Sequence, residues 1–244
     1  MSRVEVRVPA RFCGPRASGN GGWSAGALAE VVGAQGVAID GEGWPVTTVQ
    51  LRQPPPLDVD MVVGEDGSWT TASDDTGATV LRARLGDPEP EPVPFVDLST
   101  ARAAEASYPG LVHHPFPTCF VCGTGREVGD GLRIFSGPVT DVQGAARVAA
   151  TWTPAEARLA TTWAAIDCPG AWSLDIGERL MVLGQMTARV HRLPEVGAPH
   201  VVVGLAGAVE GRKNFSRTSL YDADGDLLAT SEQVWISIDA AAFA

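Results

Sequence analysis

Basic charge is what this chain is short of. Against 29 Asp and Glu stand only 18 Lys and Arg, a net charge of −11 over 244 residues. A general nucleic-acid binder needs a basic field to neutralise phosphates, so that class is excluded, while a small anionic ligand on a local basic patch is not. Long apolar runs are missing too: none approaches the roughly 18–20 residues that cross a bilayer. The start, Met1 to Val8, alternates charge with valine and has no signal-peptide core. A cytoplasmic protein without a membrane partner is expected. In that compartment the four cysteines are expected to be reduced rather than bridged. No Ser nucleophile elbow, phosphate loop or dinucleotide glycine motif occurs.

What is present is a core and a repeat. Hydrophobic residues make up 45% and charged residues 19% of the chain, ordinary for a globular protein. Gly21 to Leu28 (Gly-Gly-Trp-Ser-Ala-Gly-Ala-Leu) lies against Thr161 to Cys168 (Thr-Thr-Trp-Ala-Ala-Ile-Asp-Cys), with Trp23 under Trp163. Asp75-Thr76-Gly77 lies against Asp224-Gly225 at nearly the same offset. In that register Ala27 falls under Asp167 and Leu85 under Gln233, so only the second copy carries a carboxylate and an amide. A duplicated fold with one chemically equipped copy predicts a single active site.

The pattern along the chain repeats as well. Val4, Val6 and Val8 alternate with polar residues and predict a strand. Arg11 to Asn20 is a loop ending on a helix N-cap, and Trp23–Val32 is apolar on almost every side, so that helix must be buried. Val46–Gln53, Leu57–Val63, Ser68–Ser73 and Ala78–Leu85 predict an antiparallel meander. Proline at alternate positions between Gly86 and Pro94 excludes helix and strand interiors there. Residues 86–118 are therefore read as a connection between an N-terminal unit, 1–85, and a C-terminal unit, 119–244, with a short helix near Ser99–Ala106. In the second unit, strands are predicted near Gly131–Phe135 and Ala145–Thr151, and a buried helix at about Leu159–Trp172. Long strands follow at Arg179–Arg192 and Pro199–Val209, then a hairpin over Asn214–Ile238. The fold class is α+β, with two curved antiparallel sheets each wrapped around an apolar helix and their edges buried against one another.

These residues resemble the hotdog superfamily, in particular the fused double-hotdog acyl-CoA thioesterases of type II. Gly21-Gly22-Trp-Ser-Ala-Gly26-Ala-Leu28 is similar to the start of that family's first helix. Ala164-Ala165-Ile166-Asp167 is similar to the second-half helix bearing its catalytic aspartate, and Gly225 to Gln233 resembles its terminal strand. Cys119-Phe-Val-Cys122-Gly followed by Gly131-Leu132 is similar to the opening of single-domain hotdog thioesterases. The resemblance implies a tandem hotdog that hydrolyses an acyl-CoA thioester, coenzyme A entering as part of the substrate and with no separate cofactor. Asp167 would be the base, with Gln233 and, through a strand that matches less closely, Thr187 orienting the water. Edge pairing would let two such chains assemble back to back, so a homodimer of double-hotdog chains is expected.

Thioester hydrolysis needs an activated water, a polariser for the carbonyl and a slot for the acyl chain. Asp167 among Trp163, Ile166 and Trp172 suits a base tuned by burial, but the same residue ahead of Pro169 also fits a plain N-cap. A glutamine amide at 233 suits positioning rather than proton transfer. Gln185 and Thr187 share a strand face. Gly21 and Gly22 offer backbone N–H groups at a helix start, or simply close packing. Trp163 and Trp172 would line the acyl slot. Arg212, Lys213 and Arg217 form the one dense basic cluster, suited to coenzyme A phosphates or to a solvated hairpin. Cys119-x-x-Cys122, with His113 and His114 upstream, fits a zinc half-site or a tight turn with buried thiols; a single pair is taken as no metal site. Two rivals stay open: a non-catalytic hotdog binding an acyl or aromatic ligand, and a hotdog dehydratase or hydratase. The second normally pairs a histidine with the helix carboxylate, and neither predicted central helix contains one.

Overall fold

The computed structural model describes residues 4–34 and 43–239; residues 1–3, 35–42 and 240–244 of the two expected units lie outside them. The first strand, β1 (Glu5–Arg7), leads into a loop and then α1 (Gly21–Ala34). Four strands follow: β2 (Thr47–Leu51), β3 (Asp60–Asp66), β4 (Trp69–Ser73) and β5 (Thr79–Leu85). The connection carries α2 (Leu98–Ala104), capped by Asp97, whose carboxylate accepts the Thr100 N–H. Beyond it come β6 (Gly137–Val142), β7 (Ala145–Trp152), α3 (Leu159–Ala165) and α4 (Cys168–Ser173). The chain ends with β8 (Met181–Val190), β9 (His200–Glu210), β10 (Lys213–Asp222) and β11 (Leu227–Ser237).

All eleven strands join one antiparallel sheet in the order β1-β3-β4-β5-β2-β8-β11-β10-β9-β7-β6. The two sheets expected to bury their edges against one another meet as one: their inner edges are hydrogen-bonded to each other, β2 to β8, with Thr48 opposite Thr187 and Gln50 opposite Gln185. Over Thr47 to Gln50 and Gln185 to Ala188 that pairing covers both inner edges. Reading outward from it, β2-β5-β4-β3 on one side is matched by β8-β11-β10-β9 on the other. The turns repeat in atomic detail. Asp74 Oδ1 accepts the N–H of Thr76 and Ala78 ahead of Gly77 (φ 83°). Asp222 Oδ1 accepts the N–H of Asp224 and Asp226 around Gly225 (φ 94°).

Helices α1, α3 and α4 pack on one face of the sheet. Asn20 caps α1 as expected, its Oδ1 accepting the Trp23 N–H at 2.8 Å, and Trp23, Ala25, Leu28, Ala29 and Val32 are all buried. α1 lies against α3, so closely that a Cβ on Gly26 would stand 2.7 Å from Ala160 Cα and Trp163 Cβ. The connection covers part of the opposite face. Val93 and Val96 bury there with Val201, Val203 and Leu205 of β9, while Val202, one step out of phase, faces the helices. β9 is thus buried on both sides, which is why Val201 to Leu205 reads as a continuous apolar run.

Two elements differ from the sequence reading. Gly131–Phe135 forms no strand; it is irregular chain laid along the cysteine loop, with Leu132 N–H on Phe120 O and Ile134 N–H on Val121 O. The strand sits later, at β6, and meets β7 through a turn in which Gln143 and Gly144 both have positive φ. The single helix expected over Leu159–Trp172 is two. Proline at 169 has no N–H for the Ala165 carbonyl and its ring would collide with it, so α3 stops and α4 restarts with Pro169 in its first turn. The break falls at Ile166-Asp167.

Candidate active site

That break aims Asp167 sideways. Asp167 occupies the N-cap position of α4, yet its side chain caps nothing there. It crosses to the start of α1, where Oδ2 accepts the Gly22 N–H at 2.9 Å and Asn20 Nδ2 at 2.9 Å. Glycine is what permits the approach: a Cβ at 22 would lie 2.4 Å from Asp167 Cβ and 2.8 Å from the Trp163 carbonyl. The acid of one half is therefore held by the helix start of the other, at the positive end of its dipole.

The break is itself held open by Gln233. Its Nε2 donates to the Ile166 carbonyl, one of the groups orphaned where α3 ends, and Ser231 Oγ donates to the same oxygen at 3.2 Å. Gln233 Oε1 accepts from Ser216 Oγ (2.8 Å) and Trp235 Nε1 (3.0 Å). A Cβ on Gly170 would stand 1.7 Å from that oxygen, and one on Gly204 of β9 2.3 Å from the Pro169 carbonyl, so α4 lies close on the sheet across β9 and β10.

Asp167 is 1% exposed, and its other oxygen, Oδ1, has no hydrogen-bond partner. A buried polar atom without a partner is costly and marks a place where water or a ligand belongs. Burial raises the carboxyl from an ordinary 3.8 to about 7, helped by the nearby Cys119 sulfur and opposed by the hydrogen bonds from Gly22 and Asn20.

Asp167 lines a cavity of about 220 Å³. Its walls are largely apolar, with Phe116, Trp172, Ile176, Met181, Leu183 and Trp235 among them; Asn20, Gly21, Cys119, Cys122, Cys168 and His114 stand near the acid, and Arg52 with Pro54 and Pro55 also lines it. A largely apolar cleft with a few convergent polar groups is the usual form of a small-molecule site. His114 arrives from the connection rather than from a helix. Both its nitrogens are engaged: Nδ1 accepts the Phe116 N–H at 3.0 Å, so the proton sits on Nε2, which faces the Cys122 carbonyl at 3.0 Å.

Of the residues singled out from sequence, Asp167, Gly21 and Trp172 meet at this cavity, and Gly22 stands behind it, bonded to Asp167. Trp163 is buried between α3 and α1 and does not line it. Gln233 is fully buried behind the helix break, one peptide from Asp167, and also does not line the cavity. Thr187 lies on the seam, its hydroxyl 2.7 Å from that of Thr48, and Gln185 bonds Gln50 there. Arg212 and Lys213 sit at the β9–β10 turn, where Arg212 donates to the Ser237 carbonyl. Arg217 pairs with Glu91 on the sheet's outer face. None of these three lines the cavity: Arg212 and Lys213 stand at the end of the β9–β10 hairpin and Arg217 is carried on the outer face of β10. Sequence reasoning passed over Asn20 as a ligand of Asp167, and Arg52. Asn20 was legible only as a cap; that its amide nitrogen reaches 147 residues along the chain has no local signal.

No family model and no curated protein matches this chain. Solved structures do. An acyl-CoA thioesterase II, TesB2, from Mycobacterium marinum superposes with a TM-score of 0.60 at 10% identity, covering 97% of this chain and 93% of that one. A hot dog fold protein of unknown function from Alicyclobacillus acidocaldarius gives 0.59 at 16%, over 97% and 92%. The dehydratase domain of PpsC from Mycobacterium tuberculosis, in complex with C12:1-CoA, gives 0.53 at 14%, over 97% and 92%. At these identities the likeness establishes the hotdog fold and nothing finer. Among the described residues no helix is long and apolar enough to cross a membrane.

Proposed function

We propose that the chain is a tandem hotdog that hydrolyses an acyl-CoA thioester, with Asp167 as general base. The mirrored strand order around the β2–β8 seam and the matched Asp-capped turns support a duplicated ancestry. One observation carries the chemistry: a buried carboxylate at a cavity, with one oxygen held by the opposite half and the other unpartnered. Oδ2 keeps the group fixed through Asn20 and Gly22, while Oδ1 is free to take a proton from a water in the cavity. The water oxygen then attacks the thioester carbonyl carbon, and the thiolate leaves and is protonated. A carboxyl near 7 is matched to that proton transfer at neutral pH. The start of α1, where Gly21 lines the cavity, supplies positive partial charge toward a developing oxyanion. The apolar walls around Trp172, Met181 and Leu183 take the acyl chain. Arg52, on the same cavity, is the cation best placed for a coenzyme A phosphate. Gln233 acts as a positioning residue, fixing the peptide that aims Asp167.

The histidine at the cavity gives the dehydratase reading its one support, but with both ring nitrogens occupied His114 has no free lone pair to remove a proton from substrate. The test is a panel of acyl-CoA thioesters and β-hydroxyacyl- and enoyl-CoA compounds, read in parallel by thiol release and by enoyl absorbance. Thiol release across part of the acyl panel is expected. Enoyl formation without thiol release transfers the function to dehydration, and binding without either leaves a ligand-binding hotdog.

A further inference from the structure

Beside Asp167 lie three sulfurs that the proposed hydrolysis does not use. Cys119 and Cys122 come from the loop after the connection, and Cys168 is the first residue of α4. All three are buried and free, all three line the cavity, and their Sγ atoms lie within 4.8 Å of one another, with Cys119 and Cys168 3.7 Å apart. A tetrahedral ion with Zn–S bonds near 2.3 Å sets its sulfurs about 3.8 Å apart. Two segments 46 or more residues apart in sequence have thus been brought to the spacing a thiophilic ion needs. We propose that Cys119, Cys122 and Cys168 form a three-thiolate site for zinc, with its fourth position open to the cavity next to Asp167.

The surroundings agree. Asn20 Nδ2 stands 3.9 Å from the Cys119 sulfur and 3.8 Å from that of Cys168, the placement of an outer N–H donor that steadies metal-bound thiolates. Asp167 Oδ2 is 4.0 Å from the Cys168 sulfur. His114 is not a ligand, since neither nitrogen offers a lone pair. Cys13 stands apart: its thiol donates to the Thr118 carbonyl at 3.3 Å, and the Arg126 guanidinium lies 3.2 Å from it, where a cation would be repelled. Soft thiolate ligands select zinc over the hard divalent ions. Loading is a substitution without redox change: three S–H bonds break, three Zn–S bonds form and three protons go to solvent. This inference concerns the sulfur geometry alone and does not depend on the hydrolase reading.

The test uses the full chain, reduced and stripped with a chelator that is then removed. Cobalt(II) is titrated in as a coloured stand-in, then displaced by zinc. One equivalent of cobalt with sulfur-to-metal charge-transfer absorption, displaced by one equivalent of zinc, is expected for the wild type and for Cys13→Ser, and loss of that site for Cys168→Ser. X-ray absorption of the zinc-loaded wild type, which needs no variant to fold, should give three sulfurs at about 2.3 Å with one lighter ligand. No charge-transfer band in the wild type, binding unchanged in a folded Cys168→Ser, or two or fewer sulfurs around the zinc would each overturn the assignment.

Discussion

Two alanines placed in the same helix should move stability in opposite directions. Gly22 and Gly33 both lie in α1, and replacing a helical glycine by alanine ordinarily gains up to about 1 kcal/mol. At Gly33 the new methyl would sit 3.6 Å from Trp44 Cδ1, an ordinary contact, so that gain should appear. At Gly22 it would sit 2.4 Å from Asp167 Cβ and 2.8 Å from the Trp163 carbonyl. Contact between carbons is comfortable only from about 3.5 Å, so α1 must move back from the α3–α4 break by roughly an ångström. Overpacking of this kind costs about 1–3 kcal/mol. Stretching the Gly22 N–H to Asp167 bond adds roughly 1.5–3 kcal/mol if the charge-assisted bond is lost. The clash outweighs the propensity, leaving Gly22→Ala destabilised by roughly 2–5 kcal/mol. Thermal unfolding reads this directly, since 1 kcal/mol moves Tm by about 2–4 °C in a chain of this size. Gly22→Ala should fall by roughly 5–15 °C and Gly33→Ala should rise by a few degrees. Equal Tm values for Gly22→Ala and wild type would refute the close crossing on which the site depends.

Three further outcomes follow from the site. Because the base must be ionised, thiol release by the metal-free protein should climb with pH, reach half its plateau near 7, the value to which burial pushes Asp167, and level off above it; a profile flat from about pH 5 to about pH 8 removes Asp167 as base. The stability sign is the reverse. An acid raised from 3.8 to about 7 by folding favours the native state below about pH 4 and loses that contribution as pH rises through 7. Chemical denaturation should therefore show Asp167→Asn gaining on wild type by up to about 4 kcal/mol between those limits. Gln233→Leu leaves the Ile166 carbonyl with Ser231 Oγ alone and takes the shared acceptor from Ser216 Oγ and Trp235 Nε1, so it should unfold at lower denaturant by roughly 1–3 kcal/mol and lower kcat more than it raises KM; unchanged stability contradicts its role at the break. Arg52→Ala should raise KM for coenzyme A thioesters severalfold while Arg217→Ala, which pairs with Glu91 on the far face, leaves it alone; the opposite pattern in steady-state kinetics moves the phosphate site to the outer face.

The strand plan was legible because its signals are local. Alternation set β1 and the meander, Asp-Thr-Gly and Asp-Gly marked the two capped turns, and the Trp23/Trp163 match is the sequence signal behind the proposed duplication. Asn20 as a cap and Asp167 as a carboxylate on the second copy's helix were also readable. What stayed hidden depends on contacts far apart in sequence. Pro169 was weighed as the start of a helix, yet the preceding turns looked continuous, so the break that swings Asp167 toward Gly22 was not read. Gln233 resembles a strand residue of either face; only the folded sheet sets it under the Ile166 carbonyl. Arg217 looks like a phosphate ligand until the hairpin carries it to the outer side. Cys168 is one residue among apolar neighbours, and nothing in its own segment points to Cys119.

In the proposed function Asp167, a buried carboxylate on the wall of the cavity, does chemistry rather than packing. The most direct test is thiol release by Asp167→Asn against wild type on the best acyl-CoA, with circular dichroism confirming the fold. Removal of a general base predicts a fall in kcat of about 100-fold or more with substrate affinity kept, whereas a folded variant that turns over at the wild-type rate contradicts the account.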